Sequence, residues 1–274
     1  MSGKTKYLQA PDGMRAMVIG EWGKEKYTLL RNYIQSSSGA RAKWPKRAYV
    51  DLYCGPGQVV YRDSNEYADG GALVAWKQSV ASGAPFTHIF ISDLDAENVV
   101  ACEKRLKAAN APVISHVGAA ATLAPVIAAQ LPKSGLHLGF FDPFSISALP
   151  FRTLVPFAAI KTLDMIVNYA AGDQQRNLDS MMIGKFEGLD QFAPGWQQVI
   201  DANRPAKAVR LQLVNYWREL LTGAGIQYAQ EMPLIVNSRR GPLYWLVFAS
   251  HHPLADKLWK SINVGHQGAL DFQE

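Results

Sequence analysis

The stretch at residues 48–57, with the sequence AYVDLYCGPG, constrains the fold of this chain more than any other segment. It is a mainly apolar run between Pro45 and two glycines, which is typical of a strand buried in a parallel sheet. Gly55 and Gly57 let the backbone turn sharply and bring its N–H groups close to a ligand. We therefore predict that these residues form the first strand of an α/β domain and a nucleotide-binding turn.

Length and composition are those of a globular protein with one large α/β domain. Of the 274 residues, 48% are hydrophobic and 19% are charged, which is neither a disordered nor a fibrous composition. No apolar run approaches the ~20 residues that cross a bilayer, and the first residues lack the apolar core of a signal peptide, so we expect a cytoplasmic protein. Cys54 and Cys102 have no metal-ligand spacing, so no metal site is predicted. The net charge of +5 is compatible with a nucleic-acid partner.

The N-terminal part is predicted to contain an arm and a helix. We expect a flexible arm to about residue 15 and a helix at residues 21–34, in which apolar residues recur at helical spacing. In this helix we interpret Trp22 as a packing residue and Lys26 as a solvated charge.

A polar interval at residues 58–69 separates the glycine turn from the next helical pattern. In a compact nucleotide-binding unit the helix follows the glycines at once, so we expect this interval to form an excursion over the site. Tyr61, Arg62 and Asp63 are candidates for contact with substrate or cofactor. Asp69 is a candidate cap of the following helix.

The second predicted strand, at residues 87–95, ends in two acids. A carboxylate at the tip of this strand can accept hydrogen bonds from both ribose hydroxyls of an adenosyl cofactor, and we assign this role to Asp93. Asp95 is the candidate cap of the following helix. The third strand, at residues 113–117, is followed by Gly118 rather than by an acid, so we expect backbone contacts with the adenine there.

The fourth predicted strand, at residues 136–141, runs directly into Asp142 and Pro143. Proline stops the strand, so Asp142 projects from its carboxyl end, where ligands bind in open α/β sheets. The loop resembles the Asp-Pro-Pro-Tyr loop of amino-methyltransferases, in which the acid and a backbone carbonyl hold the target nitrogen while an aromatic ring stacks on the base. Phe144 and Ser145 stand at the last two positions here.

The fifth predicted strand covers residues 163–169 and is followed by a polar loop. We expect Asn168 and Arg176 at the same sheet edge as Asp142, where they would orient an acceptor. Such a loop needs no function to be polar, so a purely structural role stays open.

At the level of domains, residues 1–47 are predicted as the arm and helix, and residues 48–274 as the α/β domain. A helical insertion is expected at about residues 178–222. It is followed by two strands, at residues 227–236 and 243–250, joined by a turn that ends in Gly-Pro. This closing antiparallel pair completes a mostly parallel, seven-stranded sheet, and we predict a Rossmann-like methyltransferase fold.

These segments together resemble one family, the three-Cys-motif partner proteins (TcmP), over nearly the whole chain. The resemblance is carried by Glu21, Trp22, Lys26, Leu30 and Tyr33, by residues 50–57 (VDLYCGPG) and 141–144 (FDPF), by Asn168 and Arg176, and by residues 244–254 (YWLVFASHHPL). It implies a methyltransferase-like fold and, as a working partner, a small protein that bears three cysteines. It does not identify the acceptor.

Asp51, Gly55 and Gly57 also match the D-x-x-x-G-x-G pattern of S-adenosylmethionine (SAM) methyltransferases, which this stretch resembles. We therefore predict a SAM-dependent methyltransferase, with nucleic acid as a candidate acceptor. The predicted cofactor-binding residues are Asp51, Tyr53, Gly55, Gly57 and Asp93. The residues predicted to position the acceptor are Asp142 and Asn168, and the further substrate contacts are Arg62, Pro143, Phe144 and Arg176.

Two alternatives stay open. One is a regulatory or partner-binding module that keeps the fold without methyl transfer, since a fold does not establish a function. The other is a metal-dependent nuclease that uses carboxylates at adjacent strand ends. Its metal-binding candidates are Asp51, Asp93, Asp95 and Asp142.

Overall fold

The structure is a computed structural model, which describes residues 6–182 and 188–263. Its strands are β1 (Tyr7–Gln9), β2 (Arg15–Ile19), β3 (Ala48–Asp51), β4 (Gln58–Tyr61), β5 (Tyr67–Asp69), β6 (His88–Asp93), β7 (Val113–Val117), β8 (His137–Phe141), β9 (Leu163–Tyr169), β10 (Gln227–Tyr228), β11 (Leu234–Val236) and β12 (Pro242–Ser250). Its α-helices are α1 (Gly23–Ser36), α2 (Ser38–Arg41), α3 (Gly71–Ala81), α4 (Ala96–Ala108), α5 (Ala120–Gln130), α6 (Val155–Ala158), α7 (Ala171–Met182), α8 (Gly188–Phe192), α9 (Ala206–Gly223) and α10 (Pro253–Ile262).

The large sheet runs in the order β10-β12-β9-β8-β3-β6-β7, with β11 also paired to β12. Neighbouring strands from β9 to β7 are parallel, whereas β12 is antiparallel to β9. The chain begins this sheet in the middle with β3, builds outward through β6 and β7, and returns to the other side with β8 and β9. This order, closed by an antiparallel strand, is the Rossmann-like methyltransferase fold, and the prediction of it is confirmed.

The sheet differs from the prediction at its closing edge. Residues 227–236 form two short strands, β10 and β11, which both pair with β12. The described residues therefore supply eight strands to the large sheet rather than seven. Pro233 lies between the two pieces and has no N–H group to donate to the ladder, so one strand position holds two short strands.

Helices cover both faces of the large sheet, which explains why every residue of β3, β8 and β9 is buried. Successive residues of β3 point to opposite faces: Tyr49 belongs to the core that contains Tyr33 of α1, and Val50 belongs to the core that contains Trp217 of α9. The helices α7, α8 and α9 lie between β9 and β10, where the insertion was predicted. Residues 183–187 of that insertion and residues 1–5 of the predicted arm lie outside the described residues. No described helix is long and apolar enough to cross a membrane.

The N-terminal segment forms strands where a flexible arm was predicted. β1 and β2 pair with each other, β2 runs parallel to β4, and β4 and β5 form a hairpin, which gives a second sheet in the order β1-β2-β4-β5. The hairpin is the polar interval at residues 58–69. The prediction was wrong because strands of three to five residues carry little pattern and β2 pairs with a segment that is distant in the chain.

Arg105 of α4 connects the N-terminal segment to the glycine turn through hydrogen bonds. Its guanidinium donates to the Asp12 carboxylate at 2.7 and 2.8 Å and to the backbone oxygens of Arg15 and Pro56 at 2.9 and 2.6 Å. Arg105 is buried, and a buried charge is stable only when it is paired and fully hydrogen-bonded. These bonds join the arm, the turn and α4 into one wall of the site.

Candidate functional site

A cleft of about 950 Å³ opens at the carboxyl edge of the large sheet. Ligands of open α/β sheets bind at this edge, where the strand order reverses, and a single ligand site holds about 300–1,000 Å³. The predicted site residues that line the cleft are Tyr53, Gly55, Gly57, Asp93, Asp142, Pro143, Phe144, Asn168 and Arg176. Asp51 and Arg62 do not line it.

The glycine turn after β3 has the backbone conformation that its sequence predicts. Gly55 and Gly57 have φ values of 55° and 79°, in the left-handed region that favours glycine. A Cβ atom on Gly57 would lie 3.0 Å from the Cα atom of Cys102, so this position is closed to a side chain. The turn thus packs tightly against α4 while both glycines line the cleft.

Asp51 lies beneath the cleft at the end of β3 and is 2% exposed. One of its oxygens accepts a hydrogen bond of 3.0 Å from the Tyr53 N–H, which fixes the start of the turn. Burial, aided by the nearby carboxylates Asp142 and Asp93, raises the pKa of Asp51 to about 8. The structure therefore places a proton-binding group under the turn, one that a cation in the cleft would ionise.

Replacing Asp51 by asparagine is expected to change how stability depends on pH. The folded chain keeps a proton on Asp51 that the unfolded chain gives up above about pH 4, so this group makes the free energy of unfolding fall as the pH rises from about 4 to about 8. Asp51→Asn removes that contribution. Urea denaturation across this range should show the variant gaining stability relative to the wild type as the pH rises. Asp63→Asn, at an exposed acid, is the control, and parallel curves for Asp51→Asn would contradict the expectation.

Asp93 joins the end of β6 to the glycine turn. Its two oxygens accept hydrogen bonds from the Gly55 N–H at 3.0 Å and from the Asp95 N–H at 2.9 Å. A carboxylate has about four lone-pair positions, so Asp93 can accept further bonds from a ligand in the cleft. Asp95 instead caps α4 by accepting from the Glu97 N–H at 2.9 Å, which confirms the predicted cap.

Apolar and small side chains line the end of the cleft beside β6 and β7, next to the polar residues Asp93, Asp95 and Asn98. Leu94, which follows Asp93, is 75% exposed, and small residues at the start of α5 continue the lining. No acid lies among the residues from 119 to 122 that line it here. A flat, uncharged group would find apolar contacts and backbone atoms at this end.

The end of the cleft beside β8 and β9 contains a largely buried ion pair that the sequence interpretation missed. Lys26 Nζ lies 2.5 Å from Asp142 Oδ2, and the Asn168 amide donates to Asp142 Oδ1 at 2.7 Å and to the Pro143 carbonyl at 3.3 Å. Asn168 is 4% exposed. Both oxygens of Asp142 are therefore held in fixed directions.

The interpretation of Lys26 as a solvated charge was wrong, since Lys26 is 8% exposed. Its ammonium lies 5.0 Å and 5.4 Å from the ring centroids of Tyr27 and Tyr244, within cation–π range. One signal was present in the sequence: Lys26 precedes Leu30 by four residues and Tyr33 by seven, which puts it on the buried face of α1. Its partners, however, come from distant parts of the chain.

The mouth of the cleft carries an exposed aromatic ring and two arginines. Phe144 is 80% exposed. Arg176 of α7 lines the cleft as predicted, and so does Arg152, a residue that the sequence interpretation missed and for which the sequence held no local signal. Arg62 lies outside the cleft, with its guanidinium 6.0 Å from the Trp22 ring.

Tyr53 connects the glycine turn to the loop after β8. Its hydroxyl donates a hydrogen bond of 2.7 Å to the Ala148 carbonyl, and both residues line the cleft. Burial raises its pKa well above the ordinary value for tyrosine, which keeps it a neutral donor. Tyr53 therefore holds two walls of the cleft together.

Among the residues that the structure describes, no group of three or more His, Cys, Asp or Glu side chains is arranged to hold a metal ion. The four carboxylates of the nuclease alternative are thus not gathered into one cluster. Asp93 and Asp95 bond to backbone N–H groups, Asp95 also pairs with Arg15, and Asp142 pairs with Lys26.

Comparison with protein-family models gives no match for this chain, and neither does comparison with the curated proteins. Solved structures with similar folds exist. The chain is similar to the protein LPL1258 from Legionella pneumophila (12% identity, 88% of this chain and 92% of that one, TM-score 0.49). It is also similar to WbdD (14% identity, 83% of this chain and 40% of that one, TM-score 0.45). A third similar structure is the O-methyltransferase from Bacillus cereus in complex with SAH (12% identity, 82% of this chain and 80% of that one, TM-score 0.45).

Sequence identities of 12–14% are too low to indicate the activity or the substrate of this chain. The fold rests instead on the strand order of the large sheet, with β3 in the middle and the antiparallel β12 beside β9. Membership of the TcmP family stays a prediction.

Proposed function

We propose that this chain is a SAM-dependent methyltransferase. The observation that carries the proposal is one cleft, at the carboxyl edge of the sheet, with the glycine turn and Asp93 at one end and the Asp142–Asn168–Lys26 group at the other. This arrangement offers separate places for a nucleoside-like cofactor and for an acceptor. The methyltransferase-like fold of the large sheet supports it.

The residues at the cofactor end fit SAM. The Gly57 N–H is the candidate donor to the methionyl carboxylate, since the Gly55 N–H already donates to Asp93 and Pro56 has no N–H. The lone pairs of Asp93 that remain unused are suited to the two ribose hydroxyls. The apolar and small side chains beside Leu94 are suited to the adenine. Asp51 lies beneath the cleft and would act on the cationic ligand through its charge. When bound, SAM would supply a methyl group from its sulfonium, whose sulfur keeps the bonding electron pair.

At the acceptor end, catalysis would come mainly from alignment. Asp142 is held at both oxygens by Lys26 and Asn168, so its direction is set before a substrate arrives. An acceptor N–H or O–H hydrogen-bonded to Asp142 would have its lone pair aimed at the cofactor, and its proton would pass to a carboxylate oxygen of Asp142. Such positioning can supply several kcal/mol of the barrier reduction, about 7–11 kcal/mol at most.

Calorimetry with SAM on the full chain tests the proposal. We expect saturable binding at one site, accompanied by proton release near pH 7, because a cation close to Asp51 lowers its pKa from about 8. Affinity should therefore rise as the pH is raised from about 6 to about 8. Proton release is measured by repeating the titration in buffers that differ in ionisation enthalpy.

Asp51→Asn is the matched variant for this titration. It should bind SAM with little proton release, since it lacks the ionisable group. The absence of any SAM binding to the wild type would overturn the proposed function. Binding of SAM without transfer of a labelled methyl group to RNA, DNA or protein of the host would instead favour the regulatory alternative, and a cysteine-motif partner would then be added to the assay.

A further inference from the structure

The mouth of the cleft contains side chains that the methyl-transfer proposal does not use. Arg152, in the short helix Phe151–Thr153, and Arg176, in α7, are both exposed and both line the cleft. Phe144 lines the same cleft with most of its ring in solvent. Two cations and an uncovered aromatic ring thus share one concave surface.

The two guanidinium groups are available for an anion. Within the described part of the chain, neither Arg152 nor Arg176 forms an ion pair with a carboxylate. The acid that lines the cleft near them, Asp173, already accepts from the Ile146 N–H at 3.0 Å and from the Asn177 amide at 2.8 Å. Arginine is the residue best suited to bind phosphate, because its planar fork donates two parallel hydrogen bonds.

Phe144 is exposed although the backbone on both sides of it is held in place. The residues that follow it, Ser145 and Ile146, are 8% and 1% exposed, and Pro143 on its other side accepts a hydrogen bond from Asn168. The backbone on both sides of the ring is therefore fixed. A large apolar ring held in solvent inside a cleft is accessible to a flat partner, and a nucleobase is a partner that stacks on such a ring.

We infer that the mouth of the cleft binds single-stranded nucleic acid, with one base stacked on Phe144 and the neighbouring phosphates bound by Arg152 and Arg176. A base must leave its helix to reach a concave site, so a single strand fits better than a duplex. The net charge of +5 also favours the binding of a negatively charged strand. The inference rests on the proposed function only in that it names the acceptor, and binding of the strand requires no cofactor.

Fluorescence anisotropy with a short labelled uridine RNA and a matching thymidine DNA strand tests this inference. The variant Arg152→Gln/Arg176→Gln should bind more weakly and should show a smaller salt dependence, by about 0.7 in the slope of log K against log salt for each phosphate contact that is lost. Phe144→Ala should weaken binding about 5- to 150-fold and leave that slope unchanged. These two signatures separate phosphate contact from stacking.

Arg204→Gln is the matched control, because Arg204 is exposed and does not line the cleft. It should bind both strands like the wild type. The three positions of the test variants are exposed, so we expect these variants to keep the wild-type circular dichroism spectrum. Equal loss of affinity in Arg204→Gln would show that general charge, rather than this surface, binds the strand, and would overturn the inference.

Further results distinguish this inference from the proposed function. Binding of SAM without measurable binding of either strand would overturn the inference and leave the methyltransferase proposal standing. Strand binding with the two signatures, but no binding of SAM, would support the inference and overturn the proposed function. Equal affinity for a duplex, or displacement of the strand by inorganic phosphate alone at equal concentration, would also count against a single-strand site. A preference between RNA and DNA would identify the kind of strand.

Discussion

Replacing Lys26 by methionine is expected to lower the free energy of unfolding by about 3 kcal/mol, near the lower end of the range for a broken buried ion pair. Methionine keeps most of the side-chain volume but leaves the charge of Asp142 unpaired in a site where Lys26 is 8% exposed. Methyl transfer should be lost as well, because Asp142 is then held by Asn168 alone. Urea denaturation and a labelled-methyl assay measure the two effects.

Three further variants separate the contribution of charge from that of packing. The double variant Lys26→Met/Asp142→Asn should recover much of the lost stability, because no uncompensated charge remains, but it should stay inactive. Lys26→Arg keeps the charge and should be more stable than Lys26→Met. Lys24→Met, two residues earlier, changes an exposed lysine paired with Glu21 and Glu66 and should have a small effect. Wild-type stability of Lys26→Met would contradict the structural role assigned to the pair.

Replacing Asp93 by alanine is expected to weaken SAM binding about 100-fold. Hydrogen bonds to a charged group contribute about 1.5–3 kcal/mol each, and each 1.4 kcal/mol is a factor of about ten in affinity. The change also removes the bond from the Gly55 N–H, so the glycine turn loses its tie to β6. Calorimetry with SAM measures the loss.

Asp93→Asn and Glu97→Gln complete that experiment. Asparagine keeps the shape and one acceptor oxygen, so its affinity should fall between those of the wild type and Asp93→Ala. Glu97→Gln removes a nearby negative charge from a side chain that is 81% exposed and does not line the cleft, and it should bind SAM like the wild type. If Glu97→Gln weakened binding as much as Asp93→Ala, the ribose contact assigned to Asp93 would be untenable.

The candidate cofactor end could be predicted from sequence because its signals are local. A buried strand that stops at a glycine turn, as after Asp51, or at a proline, as after Asp142, marks its own carboxyl end. The carboxyl ends of parallel strands lie at one edge of a sheet. The structure brings Gly55, Asp93 and Asp142 to one cleft for this reason.

The acceptor end was less predictable, because its contacts join residues far apart in the chain. Lys26 and Asp142 are 116 residues apart, and the ring of Tyr244 beside Lys26 belongs to β12, the last strand of the sheet. Arg152 comes from a short helix with no distinctive pattern. Asp51 ends its strand as predicted, yet it is 2% exposed and lies beneath the residues that line the cleft.

Local patterns in the sequence alone therefore determined the buried strands of the large sheet, the glycine turn and the acids at the strand ends, because apolar runs, glycine and proline act on neighbouring residues. The tertiary structure alone decided that the N-terminal segment becomes a sheet, that Lys26 is buried against Asp142, and that Arg62 stays outside while Arg152 lines the cleft. These outcomes depend on contacts between distant segments, where burial makes an unpaired charge costly and so selects its partner.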